Sequence, residues 1–175
     1  MNKFMTSFLI PTIVFIGIMF FGYKGILYGV SRIRQDPINQ QYITIAERDA
    51  EINCLARNIA EEAGGENAEG KVAVAQVTLN RVHSGKFGNS VCSVVYSHAQ
   101  FSWTLTKPKA LPFKDKVVYN ESVVVAKKVL LEGYTLPSLT KATYYHNFTV
   151  NPSWNKNMKK VAVIGHHIFY DATQG

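Results

Sequence analysis

The chain reads as an α+β domain behind one N-terminal transmembrane helix. Three observations carry that reading: helically spaced apolar residues come first, β-rich alternating segments come last, and the stretch before both is long, apolar and free of acids. Its 175 residues leave room for one domain of ordinary size. Apolar residues make up 47% and charged residues 18%, with no low-complexity tract, which excludes a wholly disordered chain.

Between Lys3 and Lys24 runs FMTSFLIPTIVFIGIMFFGY, 20 residues without a charge. As a helix rising about 1.5 Å per residue, this run covers the roughly 30 Å hydrocarbon core of a bilayer. No small-x-small cleavage site follows it, so the expectation is an uncleaved anchor over residues 1–30. The polar SRIRQDPINQQY then reads as a linker over 31–43, with the soluble domain occupying 44–175.

Within that domain, Thr44 and Glu47 have the form of a capping box, and Ile52, Leu55, Ala56, Ile59 and Ala63 recur at helical spacing until Gly64-Gly65. A first helix is predicted over 45–63. At about 100° per residue, Glu61 falls opposite its apolar face, toward water, and Glu62 falls on the flank about 20° from Leu55. EGKVAVAQVTLNRV, residues 69–82, reads as a second, largely buried helix, with a strand as the alternative. SGKFGNS is a turn, VCSVVY a short apolar element, and HAQFSWTLTKPKALPFK an aromatic loop without a period. Asp115 to Glu132 with Gly133 behind it makes a third helix with a glycine cap. ATYYHNFTV and KVAVIGHHIFY alternate and are joined by NPSWNKNMK, which predicts an antiparallel pair.

Charge is uneven along the chain. The formal net charge is +7, and from Lys71 onward 13 Lys and Arg stand against only Asp115, Glu121, Glu132 and Asp171. Such a surface favours a polyanion, or is simply a solvated basic face. His166-His167 suggests no metal site, because alternation would put neighbours on opposite strand faces and neither HExxH nor Cys-x-x-Cys accompanies them.

The blocks CLARNIAEEAGGENAEGKVAVAQVTLNRV, SVCSVVY, QFSWT, ATYYHNF, NPSW and IGHHIFY, in this order, closely resemble the cell wall hydrolase family named after the spore cortex-lytic enzyme SleB, which also occurs in phage lysis and virion proteins. The resemblance spans about Cys54 to Tyr170. It implies a lysozyme-like fold for 44–175, no cofactor, and cleavage of the MurNAc-GlcNAc bond of peptidoglycan glycan strands by lytic transglycosylation. The family's single glutamate in its E-A-x-G-E block corresponds to Glu62 in Glu62-Ala63-Gly64-Gly65-Glu66. Gly64 stands where many relatives carry arginine. The chemistry agrees with one acid: a carboxyl flanked by apolar side chains has a raised pKa and can protonate a glycosidic oxygen, and the substrate's own 6-hydroxyl replaces a second carboxylate.

Sugar binding needs flat apolar faces beside hydrogen-bonding groups, which Gln100, Phe101, Ser102, Trp103, Tyr144, Tyr145, His146 and Trp154 supply together with Glu66. Glu66 has a second reading as a cap for the next helix. The resemblance also places Cys54 and Cys92 in family blocks and favours a disulfide, which requires an oxidising compartment. The expected partners are peptidoglycan and, through the anchor, a lipid bilayer, with no nucleic acid; oligomeric state is left open. The expected location is the membrane with the domain outside the cytoplasm, although Lys24, Arg32 and Arg34 after the span lean the other way. Two other functions stay open: a cysteine amidase or peptidase of the cell wall using Cys92 or Cys54 with a histidine such as His146, and a non-catalytic wall-binding or virion component with the same fold.

Overall fold

A computed structural model describes residues 37–106 and 115–172, with side chains from residue 44 onward. The expected anchor over residues 1–30, the first part of the expected linker and the second half of the aromatic loop lie outside the described residues. By its contacts the chain divides into Met1–Glu47 and Arg48–Gly175, and every contact discussed below belongs to the second unit. Among the described residues no helix is long and apolar enough to cross a membrane.

The elements are α1 (Pro37–Ala63), α2 (Ala68–Ser84), α3 (Val91–Tyr96), α4 (Lys116–Glu132), β1 (Ala142–Asn147), β2 (Lys159–Ile164) and β3 (His167–Asp171), with short 3-10 turns at Ser102–Leu105, Pro137–Leu139 and Ser153–Asn157. The first helix starts well before the expected residue 45, so the end of the stretch read as linker is helical. Proline at the first helical position, where its missing N–H costs nothing, is the start signal that outranks the Thr44 box. α2 begins at Asn67, whose side chain accepts from the Gly70 amide, and ends at Gly85 with φ of 66°. Asp115 caps α4 by accepting from the Val117 and Val118 amides.

α2 is the central helix, its residues buried from Gly70 through Thr78. Its polar side chains therefore need partners, and they find them on elements far along the chain. Gln76 exchanges two hydrogen bonds with the Leu136 backbone. Asn80 donates to the Leu139 and Ala142 carbonyls. Lys71 pairs with Glu121 of α4. These bonds fix the segment that feeds the sheet.

The sheet has three strands in the order β1-β3-β2, both pairings antiparallel. The expected pair is thus a triplet, because Gly165, at φ of 55°, turns KVAVIGHHIFY back on itself. Both outer strands carry one extra residue beside Tyr170 of β3, between Ala142 and Tyr144 in β1 and between Lys160 and Ala162 in β2. One core joins α1, α2, α3 and α4 through Leu55, Ile59, Val72, Val94, Trp103 and Val129. A second joins α2 to the sheet through Ala73, Val77, Leu139, Ala142, Ile164 and Phe169.

Candidate active site

Glu62 sits next to the end of α1, where the helix reaches the sheet. Its Oε2 accepts a hydrogen bond of 3.1 Å from the Tyr145 hydroxyl of β1. Burial raises the Glu62 pKa and outweighs the Tyr145 hydrogen bond and the Arg81 charge, which both lower it. Tyr145 is itself pushed well above its ordinary value, first by burial and then by the Glu62 charge, so its hydroxyl stays a donor. A partly dry carboxyl with one hydrogen-bond donor keeps its proton to higher pH than an ordinary glutamate and can release it to a basic oxygen.

Arg81 of α2, which the sequence reading did not single out, ties the surrounding pieces together. Its buried guanidinium donates from Nε to the Thr143 carbonyl at 2.8 Å and from Nη1 to the Gln100 carbonyl at 3.5 Å. The group lies over the rings of Phe101, Phe87 and Tyr144 at 4.9, 5.3 and 5.9 Å. Thr143 is the extra residue of β1, so the bulge presents a carbonyl that a regular strand would use in its ladder. Burial lowers the Arg81 pKa, while Tyr145, Tyr144 and Glu62 raise it. The available signal was an arginine in a Val- and Ala-rich, largely buried helix, a charge that must be paired.

The expectation that Glu61 faces water is corrected. Its side chain is 4% exposed and bonds Arg57 one turn earlier at 3.0 Å. The wheel fails because α1 is covered on nearly every side here: Cys54 to Ala60 are all buried. Arg57 also lies over the Trp103 ring, 5.6 Å from its centre.

Glu66 is fixed by the β2–β3 turn. Its carboxylate accepts from the His166 amide at 3.1 and 3.3 Å and meets His166 Nδ1 at 2.9 Å and His167 Nδ1 at 3.5 Å. Both histidines thus approach one carboxylate, contrary to the opposite-face expectation, because His166 lies in the turn where strand alternation does not apply. Burial lowers the His167 pKa, against the pull of Glu66. Among the described residues no group of three or more His, Cys, Asp or Glu is arranged to hold a metal.

The expected sugar-binding set divides by burial. Phe101 is buried under Arg81, Trp103 is buried with its indole N–H donating to Asn58 at 2.9 Å, and His146 is buried between Tyr170 and the Asn147 carbonyl. Gln100, Tyr144 and Tyr145 are half-buried, and Ser102 and Trp154 are exposed. Trp154 packs on Tyr144, His146 and Tyr170 with ring centres 5.6 to 5.7 Å apart. Tyr144 and Trp154 are therefore placed to offer ring surface, whereas Phe101, Trp103 and His146 serve the interior. Cys54 and Cys92 form a disulfide between α1 and α3, so neither is a thiol and the cysteine amidase reading loses its nucleophile.

An acid at a helix end, braced by a tyrosine from a small antiparallel sheet, is a site suited to protonating a leaving oxygen. Residues 65–170 match the cell wall hydrolase family, and the chain belongs to that family. The match begins at Gly65, just past Glu62. The spore cortex-lytic enzyme of Bacillus subtilis is 31% identical over 121 residues, and that of Oceanobacillus iheyensis 32% over 119 residues. Each alignment takes in 68% of this chain but only 37% and 41% of the relative, so the chain spans well under half of those proteins. Among solved structures it resembles the catalytic domain of the Bacillus cereus SleB protein, with a TM-score of 0.56 at 28% identity, over 69% of this chain and 89% of that one. The catalytic domain of the germination-specific lytic transglycosylase SleB from Bacillus anthracis gives 0.55 at 30% identity, over 69% and 93%.

Proposed function

We propose that this chain degrades peptidoglycan as a lytic transglycosylase, with Glu62 as its single catalytic acid and base. The observation that carries the proposal is the Glu62 environment: a carboxyl whose pKa burial raises, held by one tyrosine hydroxyl, while its neighbours Glu61 and Glu66 are engaged by Arg57 and by the hairpin turn. The structural similarity to a SleB described as a lytic transglycosylase supports the reaction class.

Glu62 gives its proton to the glycosidic oxygen as the bond to the muramic anomeric carbon breaks. The ionised carboxylate, stabilised by the Tyr145 hydroxyl, then takes the proton of the muramic 6-hydroxyl as that oxygen bonds to the same carbon. The products are an anhydro sugar end and a free 4-hydroxyl, and Glu62 is protonated again. Tyr144 and Trp154 offer ring surface for the flanking sugars. The uncharged run between Lys3 and Lys24 supports a membrane anchor, and the disulfide supports a domain outside the cytoplasm.

Mass analysis of muropeptides released from purified sacculi tests the reaction. Anhydro ends are expected; reducing ends or freed peptides would replace this mechanism with a hydrolase or an amidase, and no release would leave a wall-binding protein. A phosphatase fused after Gly175 is expected to be active if the domain lies outside.

A further inference from the structure

Two tyrosines stand next to each other on β1, and strand alternation sends them to opposite faces of the sheet. Tyr144 packs on Phe87 and Trp154, whereas Tyr145 packs on His167 and Phe169 and donates to the Glu62 carboxylate. Register alone decides which of the two reaches Glu62. Tyr145 lies opposite Phe169 because Thr143 stands as an extra residue between Ala142, opposite Asp171, and Tyr144, opposite Tyr170. Were Thr143 to enter the ladder opposite Tyr170, Tyr144 would move opposite Phe169 and Tyr145 would turn to the other face.

The ladder specifies this register weakly. β2 also carries an extra residue beside Tyr170, and a bulge disrupts strand pairing where it sits. Side chains of α2 supply what the ladder lacks. Asn80 holds the Ala142 carbonyl at 2.8 Å, and the next residue, Arg81, holds the Thr143 carbonyl at 2.8 Å through Nε. Arg81 is itself fixed, because its buried guanidinium lies over the Phe101, Phe87 and Tyr144 rings and its Nη1 donates to the Gln100 carbonyl. A buried guanidinium that released the Thr143 carbonyl would leave donor and acceptor unpaired away from water, so the contact is costly to break. We propose that Arg81 is a positioning residue for Glu62, which is the acid and base on the reading given above: by holding the Thr143 carbonyl it pins the β1 bulge in the register that brings Tyr145, and not Tyr144, to that carboxyl.

Lysine keeps the charge and the apolar stem of Arg81 but lacks the planar fork that reaches two carbonyls at once. The test compares the full chain in detergent with Arg81→Lys, Tyr145→Phe and the double variant. Glutamate labelled with carbon-13 at the carboxyl is followed by NMR through a pH titration, and the Glu62 signal is the one missing from Glu62→Gln. Burial raises the Glu62 pKa, the Tyr145 hydrogen bond and the Arg81 charge lower it, and Glu61 raises it. Because lysine retains the charge, its effect reports the loss of the Tyr145 hydroxyl. The Glu62 midpoint should rise in Arg81→Lys, rise in Tyr145→Phe, and rise no further in the double variant. On purified sacculi kcat should fall about tenfold in each single variant and no further when the two are combined. A midpoint unmoved by Arg81→Lys, or two shifts that add, overturns the proposal, since a merely structural arginine would leave Tyr145→Phe its full effect. If circular dichroism shows Arg81→Lys unfolded, Arg81→Gln takes its place, with the same double variant and the requirement that Tyr145→Phe add nothing to it; if neither folds, Arg81 serves the fold and the proposal falls. If the unaltered chain releases no anhydro ends, the transglycosylase reading fails, while the Glu62 titration still decides the register.

Discussion

Glu62 and Glu66 stand at the two ends of one short block, EAGGE, yet the fold gives them opposite surroundings. Glu62 ends a helix against a strand and has a hydroxyl donor from Tyr145 in a partly dry setting that resists ionisation. Glu66 reaches across to the β2–β3 turn, where a backbone amide and an imidazole engage its carboxylate and leave its side chain 8% exposed. Between them Gly64-Gly65 ends the helix. A Cβ at Gly64 would stand 2.5 Å from the Ala60 carbonyl oxygen and 3.0 Å from Val118 Cγ1. The clash with the carbonyl of its own helix, with the tight contact to Val118 of α4 beside it, favours glycine at this position. The comparison teaches that a carboxylate surrounded by donors holds structure together, and one held by a single donor in a dry place is free to exchange a proton.

The largest expected effect breaks this contrast directly. Glu62→Gln keeps size and hydrogen bonding but removes the exchangeable proton, so release of anhydro-muropeptides should fall roughly 10²–10⁴-fold while the circular dichroism spectrum is retained. Glu66→Gln should leave the chemical step nearly intact and lower thermal stability instead. A variant at Glu66 that melts normally yet cannot cut sacculi would erase the distinction.

Next in size are two changes at the hairpin. At Gly165 the backbone is left-handed, and a Cβ there would lie 1.9 Å from Glu66 Oε2. Gly165→Ala should therefore destabilise by about 3 kcal/mol, combining the φ penalty with overpacking. Glu66→Ala leaves the His166 amide without its acceptor and should cost about 1–3 kcal/mol. Denaturant titration of each variant reads both numbers, and a stable Gly165→Ala would show that the turn can move away from Glu66.

Much of this was legible in the sequence and some was not, for identifiable reasons. The helix at 116–132 declared itself through its apolar face and its Gly133 cap, while the one at 68–84 was legible as a buried Val- and Ala-rich run that left a strand open, and the structure ends it at Gly85 with positive φ. The flank position of Glu62 followed from the same spacing. Glu61 did not follow, because a wheel assumes one wet face and α1 has none at that level. The roles of Arg81, Asn58 and the Thr143 bulge depend on partners about 20 to 60 residues away, which no local pattern encodes. Phe101, Trp103 and His146 look the same in sequence as Tyr144 and Trp154, and only packing separates interior rings from offered ones.

Tyr145→Phe sharpens the picture of Glu62 from its other side. The hydroxyl favours the ionised carboxylate, so removing it should raise the Glu62 pKa further. The high-pH limb of kcat, set by loss of the acid's proton, should move to higher pH, and kcat should fall about tenfold as the carboxylate loses its brace. A limb that stays in place would mean that another group sets it.

The smallest effect is on stability, and it reverses the usual expectation for losing a buried polar contact. Because burial raises the Glu62 pKa in the folded state, the folded chain holds this proton more tightly than the unfolded chain does. Between the unfolded value, about 4.3, and the raised folded value, the folded state binds more protons, so rising pH costs stability across that window. Glu62→Gln has no such proton to lose. Its melting temperature should match the unaltered chain at pH 4 and exceed it by a few degrees at pH 8, the pattern expected when a strained functional group is removed. The same scan on Glu66→Gln should show a loss at pH 8, since that carboxylate holds the hairpin there. Equal curves for Glu62→Gln and the unaltered chain at both pH values would mean that burial of this carboxyl carries no ionisation cost, and the physical case for Glu62 as the acid would fail with it.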